Sequence, residues 1–411
     1  MPQVSLYFHL HQPYRLRNFN VFQVGNDADY FSFKQPINDN RDVFQKVAKK
    51  SYLPMLRLLD ELTDKYPDLN LSFSCSGLFL EQAESIEPEI IKLIQNLVDK
   101  DVLDILSETY YHSLSFLYSK DEFINQIIKQ NKIIDQLFGL KPTVFRNTEL
   151  IYANQIAELL ADSELEFSGI LTEGVDRYLQ GHKRTKIFRS LGEKQSYPLL
   201  LKHAQLSDDI AFRFSDRSWS AYPLQTDKFL DWIQIYPEDE IVNLFMDFET
   251  FGEHQWQDTG IFDFFAKFVQ EFLARPWNKF VTPKQVFSQY KKQQDLTQLP
   301  VYDVPAYISW ADIDRDLTAW IGNQLQIDAL RSLYDLEARV LAVNDADLLE
   351  DWRRLQTSDH FYYMCTKWSA DGDVHAYFSP YDTPFEAYRR FGVVLADLEG
   401  RLLKLEKAKK K

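Results

Sequence analysis

Seven short apolar segments, each separated from the next by amphipathic or irregular sequence, constrain the fold of this chain more than any other feature. They are VSLYFHL (4–10), LNLSFSC (69–75), VLDILS (102–107), TVFRN (143–147), LEFSGIL (165–171), DIAFRF (209–214) and EIVNLFM (240–246). Short β-branched and aromatic runs bounded by turn residues read as buried strands. Between them DVFQKVAKKSYLPMLRLLDELTDKY (42–66), EIIKLIQNLVDK (89–100), EFINQIIKQNKIIDQLF (122–138) and IYANQIAELLAD (151–162) carry apolar residues at helical spacing. Strand alternating with helix predicts an α/β fold with a parallel sheet. Seven strands suit an incomplete (β/α)7 barrel, one strand short of the usual eight, with an open sheet as the alternative.

The pattern changes near residue 285. Long helical stretches take over at 312–343 and 384–408, so we expect a catalytic barrel over 1–285 and a helical C-terminal domain over 286–411, in keeping with about two domains for 411 residues. Residues 172–208 and 215–225 are irregular and aromatic and read as an excursion over the rim of a pocket.

A net charge of −15 argues against a nucleic-acid partner, since phosphate affinity is built from clustered Lys and Arg. The first ten residues, MPQVSLYFHL, have no basic start and no long apolar core, and no run of about 18 apolar residues occurs, so neither a secretion signal nor a membrane span is expected. Two cysteines, Cys75 and Cys365, are too few for a disulfide framework, and the cytoplasm is the expected compartment. Neither a GxSxG elbow nor a phosphate-cradling glycine loop is present, so no nucleotide cofactor is expected.

Polar residues follow the strands: His9 and His11, then Gln82, Glu108 and His112, Glu149, Glu173, Asp216 and Arg217, and Asp247 with Glu249. In parallel α/β folds the chemistry collects at the carboxyl ends of the strands, so these residues can share one pocket. In MDFETFGEHQW (246–256) strand parity aims Asp247 and Glu249 the same way, roughly 6.5 Å apart along the backbone, with Phe248 opposite. Crowded carboxylates split their pKa values, one staying protonated while its neighbour ionises, which is what glycoside hydrolysis needs. The competing reading is that these acids cap helices or pair with Arg146, Arg213 or Arg217. His9 and His11 share a strand face, where they either donate to sugar hydroxyls or, with a carboxylate, make an open zinc site. In SDHFYYM (358–364), Asp359 and His360 either cap a helix or reach back over the pocket.

Taken in order, HQP (11–13), GLFLEQ (77–82), TEL (148–150), MDFETFGEH (246–254) and SDHFYYM (358–364) resemble the five signatures of glycoside hydrolase family 57, which acts on α-glucans. The resemblance implies an incomplete seven-stranded barrel followed by helices that complete the cleft, Glu149 as nucleophile, and Asp247 as general acid and base. His11, Glu249 and Asp359 are then expected to bind sugar. The other expected substrate contacts are His9, Gln82, Arg217, Trp219, His254, Trp256 and His360, on an α-glucan or maltooligosaccharide, with no cofactor and no metal. Length and the DFETFGEH form look most like the α-amylase-type members. A 4-α-glucanotransferase or branching enzyme on the same site is the nearest alternative; a zinc-dependent hydrolase or deacetylase and a catalytically silent glucan-binding protein are the others. One departure from the family pattern is Arg146, where some members carry a tryptophan three residues before the nucleophile. Oligomeric state is left open.

Overall fold

The computed structural model describes residues 3–31, 39–192, 194–237, 240–290, 292–311, 313–367 and 379–410. Its first strand, β1 (Gln3–Leu10), shows why the apolar runs are continuous. Val4, Leu6, Phe8 and Leu10 join a core shared with flanking helices, whereas Tyr7 joins an inner cluster with Leu106, Val144, Leu171, Leu200 and Phe245. Both faces of the strand are covered, as parallel sheets require.

The remaining strands are β2 (Leu71–Cys75), β3 (Leu103–Leu106), β4 (Val144–Arg146), β5 (Gly169–Thr172), β6 (Phe188–Ser190), β7 (Pro198–Leu201), β8 (Ile241–Asp247), β9 (Lys279–Phe280) and β10 (Val301–Tyr302). β8, β1, β2 and β3 pair in parallel in that order, and so do β4, β5 and β7. Two seams join the halves. Ser107 N donates to Val144 O at 2.9 Å and Arg146 N to Ser107 O at 3.0 Å beyond β3. Beyond β7, His203 N donates to Asn243 O at 2.8 Å, and Asn243 Nδ2 donates to Leu201 O at 2.9 Å. Strands β1, β2, β3, β4, β5, β7 and β8 therefore enclose an incomplete (β/α)7 barrel, its base plugged by Val286 and Phe287. β6 is antiparallel to β7 and carries β10 outside the ring.

The strand count matches expectation with one member exchanged. DIAFRF is not a strand: the helix Ala204–Ala211 ends inside it, started by His203, whose side chain accepts from Leu206 N. The seventh barrel strand is PLLL (198–201), inside the segment read as an irregular excursion. The expected continuous helix over 312–343 is instead three, Thr318–Ile321, Gln324–Tyr334 and Glu337–Val343, re-started at Asn323 by a reciprocal cap with Gln326. SDHFYYM is a short helix, Ser358–Tyr362, and the final helix spans Pro384–Lys409. One hydrophobic cluster runs from barrel residues Phe145, Ile170 and Leu199 to Trp320, Trp352 and Leu398, so packing has no seam at residue 285; a boundary there is a proposal about organisation only. No helix among the described residues is long and apolar enough to cross a membrane.

Candidate active site

A cleft of about 520 Å³ opens at the carboxyl ends of the strands. Its lining includes His9, His11, His112, Glu149, Lys202, Asp247, Glu249, His254, Trp310 and, from the helical region, Asp359. β1 delivers the histidines. His9 is in register with Asp247 of β8 and Ser74 of β2, and its Nδ1 shares a hydrogen bond with Ser74 Oγ at 2.9 Å. His11 leaves the strand, touching Ser76 Oγ at 2.6 Å and Asp359 Oδ2 at 3.0 Å, which ties the helical region to the barrel mouth.

Glu149 follows β4 in the left-handed region, φ 55 and ψ 30, a conformation that costs a non-glycine residue about 1–3 kcal/mol and persists only where surroundings enforce it. The segment after β10 does the enforcing. Tyr152 N and Ile308 N exchange hydrogen bonds at 3.0 and 2.9 Å with each other's carbonyls, and Trp310 N donates to Glu149 O at 3.2 Å. Trp310 Nε1 then donates to Glu149 Oε2 at 2.7 Å, while His112 Nε2 approaches Oε1 at 3.1 Å. Burial favours the neutral acid here, but the His112 contact, the Trp310 hydrogen bond and the Arg146 charge outweigh it, holding Glu149 below the usual carboxylate range. Its side chain keeps 24% of its surface accessible, enough to meet a ligand.

Asp247 ends β8 and takes the opposite shift. Burial, then the neighbouring Glu149 charge, push it to about 7. Glu249 is pushed to about 8 by burial and by Asp247, and accepts a hydrogen bond from Tyr52. The two do not share a strand face as parity predicted. β8 stops at Asp247 and Phe248–Thr250 form a 3₁₀ turn, so Glu249 enters the cleft from the turn.

Gln82, Arg217, Trp219, Trp256 and His360 do not line the cleft. Gln82 is buried, donating to Gln12 O at 2.8 Å, and so shapes the HQP backbone. Arg217 is exposed; Trp219 packs on Trp232 at 6.1 Å; Trp256 is 56% exposed beneath Lys50. His360 is held neutral, near 4, by burial against Phe31 and Phe391. Their polar or aromatic character reflects turns and core packing. His254 does line the cleft, with burial pulling it to about 4.

Sequence reasoning passed over Trp310, Lys202, Asp208 and Arg315, which form the opposite wall. Lys202 Nζ donates to Asp208 Oδ1 at 2.9 Å, and Arg315 reaches Asp208 Oδ2 at 3.2 Å and Glu173 Oε2 at 3.4 Å. The Trp310 ring has the Lys202 ammonium 5.3 Å and the Arg146 guanidinium 5.6 Å from its centroid. Arg146 is fully buried, so no sugar stacks at this position. The paired cations and carboxylates after β5 and β7 were the available signal, hidden because β7 itself was not recognised.

His9, Glu108 and His112 place ligand-type atoms within 4.8 Å of one another. They do not fit a metal. Glu108 Oε2 already faces His112 Nδ1 at 3.2 Å and Arg146 NH1 at 3.4 Å, and a divalent cation beside a buried guanidinium is repelled. The alternative reading of His9 and His11 as a zinc pair is not supported by the geometry either, since His11 is spent on Ser76 and Asp359.

Residues 5–300 match the sequence profile of Glycosyl hydrolase family 57. A Methanocaldococcus jannaschii protein named "Putative alpha-amylase" is 38% identical over 407 residues, covering 96% of this chain and 84% of its own. "Alpha-amylase 1" of Dictyoglomus thermophilum is 23% identical over 290 residues, 68% of this chain but 40% of that longer protein. Among solved structures, a family 57 branching enzyme from Thermococcus kodakaraensis superposes with a TM-score of 0.67 at 12% identity, covering 98% of this chain and 90% of the other. The 4-α-glucanotransferase of Thermococcus litoralis gives 0.62 at 14%, covering 88% and 56%. The profile over most of the sequence and the 38% identical relative show the family: the chain belongs to glycosyl hydrolase family 57.

Proposed function

We propose that this enzyme is a retaining α-amylase, cleaving α-1,4-glucans or maltooligosaccharides with Glu149 as nucleophile and Asp247 as general acid and base. The observation that carries the reading is a division of charge within one cleft: Glu149 is held ionised while Asp247 stays protonated to about pH 7. In the first step a Glu149 carboxylate oxygen bonds to the anomeric carbon, the glycosidic C–O bond breaks, and the Asp247 proton goes to the departing oxygen. In the second, Asp247 takes a proton from the acceptor, whose oxygen bonds to the anomeric carbon as Glu149 departs as carboxylate. Asp359 and His11 both line the cleft, and with His11 spent on Ser76 and Asp359 we read the Asp359 carboxylate as the sugar-binding member of the pair.

Transfer to a glucan acceptor is the second reading, favoured by the names of the two solved structures above. Maltooligosaccharide incubation separates them: reducing ends accumulate if water is the acceptor, whereas chain lengths redistribute without new reducing ends if sugar is. Glu149→Gln is expected to lose at least about 10³-fold in rate on an activated glucoside, and wild-type rate in that variant removes the nucleophile. It also separates this reading from a silent glucan-binding protein, and insensitivity to a strong chelator separates it from zinc chemistry.

A further inference from the structure

The double displacement above leaves a buried carboxyl group beside the cleft without a task. Glu108, just beyond β3, is fully buried and lies behind the cleft lining. Its Oε2 faces His112 Nδ1 at 3.2 Å, and the other nitrogen of the same ring, Nε2, faces Glu149 Oε1 at 3.1 Å. An imidazole has one donor and one acceptor nitrogen when neutral and two donors when protonated. Two carboxylate oxygens on opposite ring nitrogens therefore select the imidazolium. Resting on the assignment of Glu149 as nucleophile, we propose that Glu108 is a positioning residue that acts through His112, keeping that ring doubly protonated and aimed at the nucleophile throughout the catalytic cycle.

Backbone geometry supports the assignment independently. His112 has φ 50 and Glu149 φ 55, so both members of the contact sit in the left-handed region. Such postures persist where the surroundings over-determine them, and here two of them converge on one hydrogen bond. The ring is also clamped by stacking, with His11 at a centroid distance of 4.1 Å and His9 at 4.9 Å. Every charged group facing it fits the same state. Burial pulls the His112 imidazolium down, yet the hydrogen bonds to Glu108 and Glu149 outweigh this and raise it to about 9. Burial, then the nearby cations, keep His9 and His11 neutral. Arg146 contacts Glu108 from β4, Asp359 is engaged by His11, and Asp247 is protonated below about pH 7. Two buried cations, Arg146 and His112, thus balance two carboxylates, Glu108 and Glu149.

Glu108 matters most at the intermediate. Once Glu149 is esterified to the sugar its negative charge is gone, and Glu108 becomes the ring's remaining carboxylate partner. A ring that stays protonated is ready to receive the carboxylate as it departs.

The test uses the full chain, with Glu108→Gln and Glu108→Asp, an activated fluoro-sugar donor that traps the nucleophile, and peptide mapping of the label. Wild type is expected to carry the label on Glu149. Glu108→Gln is expected to label the same residue roughly 100-fold more slowly, with the acid limb of kcat/KM moved up by about one pH unit, and Glu108→Asp to recover part of both. A folded Glu108→Gln that labels at the wild-type rate with an unmoved acid limb overturns the proposal and leaves the nucleophile intact. A wild-type label on a residue other than Glu149 instead removes the nucleophile assignment. Should Glu108→Gln not fold, ¹⁵N-histidine NMR of wild type decides: His112 is expected to show two protonated nitrogens at pH 7, and a neutral ring there sinks the idea.

Discussion

At the scale of single residues, the question is which protonated carboxyl donates. Asp247 and Glu249 both titrate near or above neutrality, at about 7 and about 8, so charge alone does not choose. Their surroundings differ: Glu249 is held by Tyr52 from behind the cleft, whereas Asp247 neighbours Glu149 electrostatically. We expect Asp247→Asn to lose about 10²–10⁴-fold on maltooligosaccharide while keeping most of its first-step rate on a glucosyl fluoride, whose leaving group needs no proton. Glu249→Gln should lower both in proportion and raise KM. The fluoride-to-glucan rate ratio is the measurement, and a ratio that rises only for Glu249→Gln exchanges the roles. That Glu149, Asp247, His11 and Asp359 share one cleft was legible in the sequence, because charge stood directly after a strand or in an ordered signature. Trp310 was not, because ISWA (308–311) follows no strand signal and reaches the site through long-range pairing with Glu149 and Tyr152. Arg217, Trp219 and Trp256 lie outside the cleft lining, and the sequence does not reveal this because a polar and aromatic turn has the same composition as a binding loop.

At the scale of elements, the shape of the site depends on a defect in a helix. The predicted stretch 42–66 is helical, but a π turn at Ala48–Tyr52 interrupts it between Asn40–Val47 and Leu53–Lys65. The extra residue per turn re-aims Tyr52 toward Glu249, a recurrent use of π turns near functional sites. Opposite it, Gly252 has φ 107, and a Cβ there would lie 1.9 Å from Lys50 O. Gly252→Ala should therefore destabilise by at least about 1–3 kcal/mol, read by denaturant unfolding, and should weaken substrate binding by displacing the Tyr52–Glu249 contact. Unchanged stability and KM would show that this seam tolerates a side chain. Periodicity gave the helices bounding these segments to within a few residues. It did not give the π turn, because one inserted residue leaves an amphipathic pattern recognisable on both sides, nor β7, because four residues with a leading proline carry little strand signal.

At the scale of the molecule, opposing titrations set stability against pH. His112 and Glu249 both bind protons more tightly folded than unfolded, and each loses its stabilising contribution as pH rises through its folded value, about 9 and about 8. The buried neutral histidines His9, His11, His254 and His360 work in the other direction, but only below their ordinary value of about 6.5. Melting temperature is accordingly expected to fall from pH 7 to pH 9 in low-phosphate buffer, with the fall reduced in Glu249→Gln; a flat profile over that window contradicts the protonated state of both groups. The family match ends at residue 300, ten residues before the indole that fixes the posture of Glu149. A chain cut after residue 300 would keep every barrel strand and both acidic groups yet lack that indole, and its Glu149 is expected to lose the bond that holds Oε2.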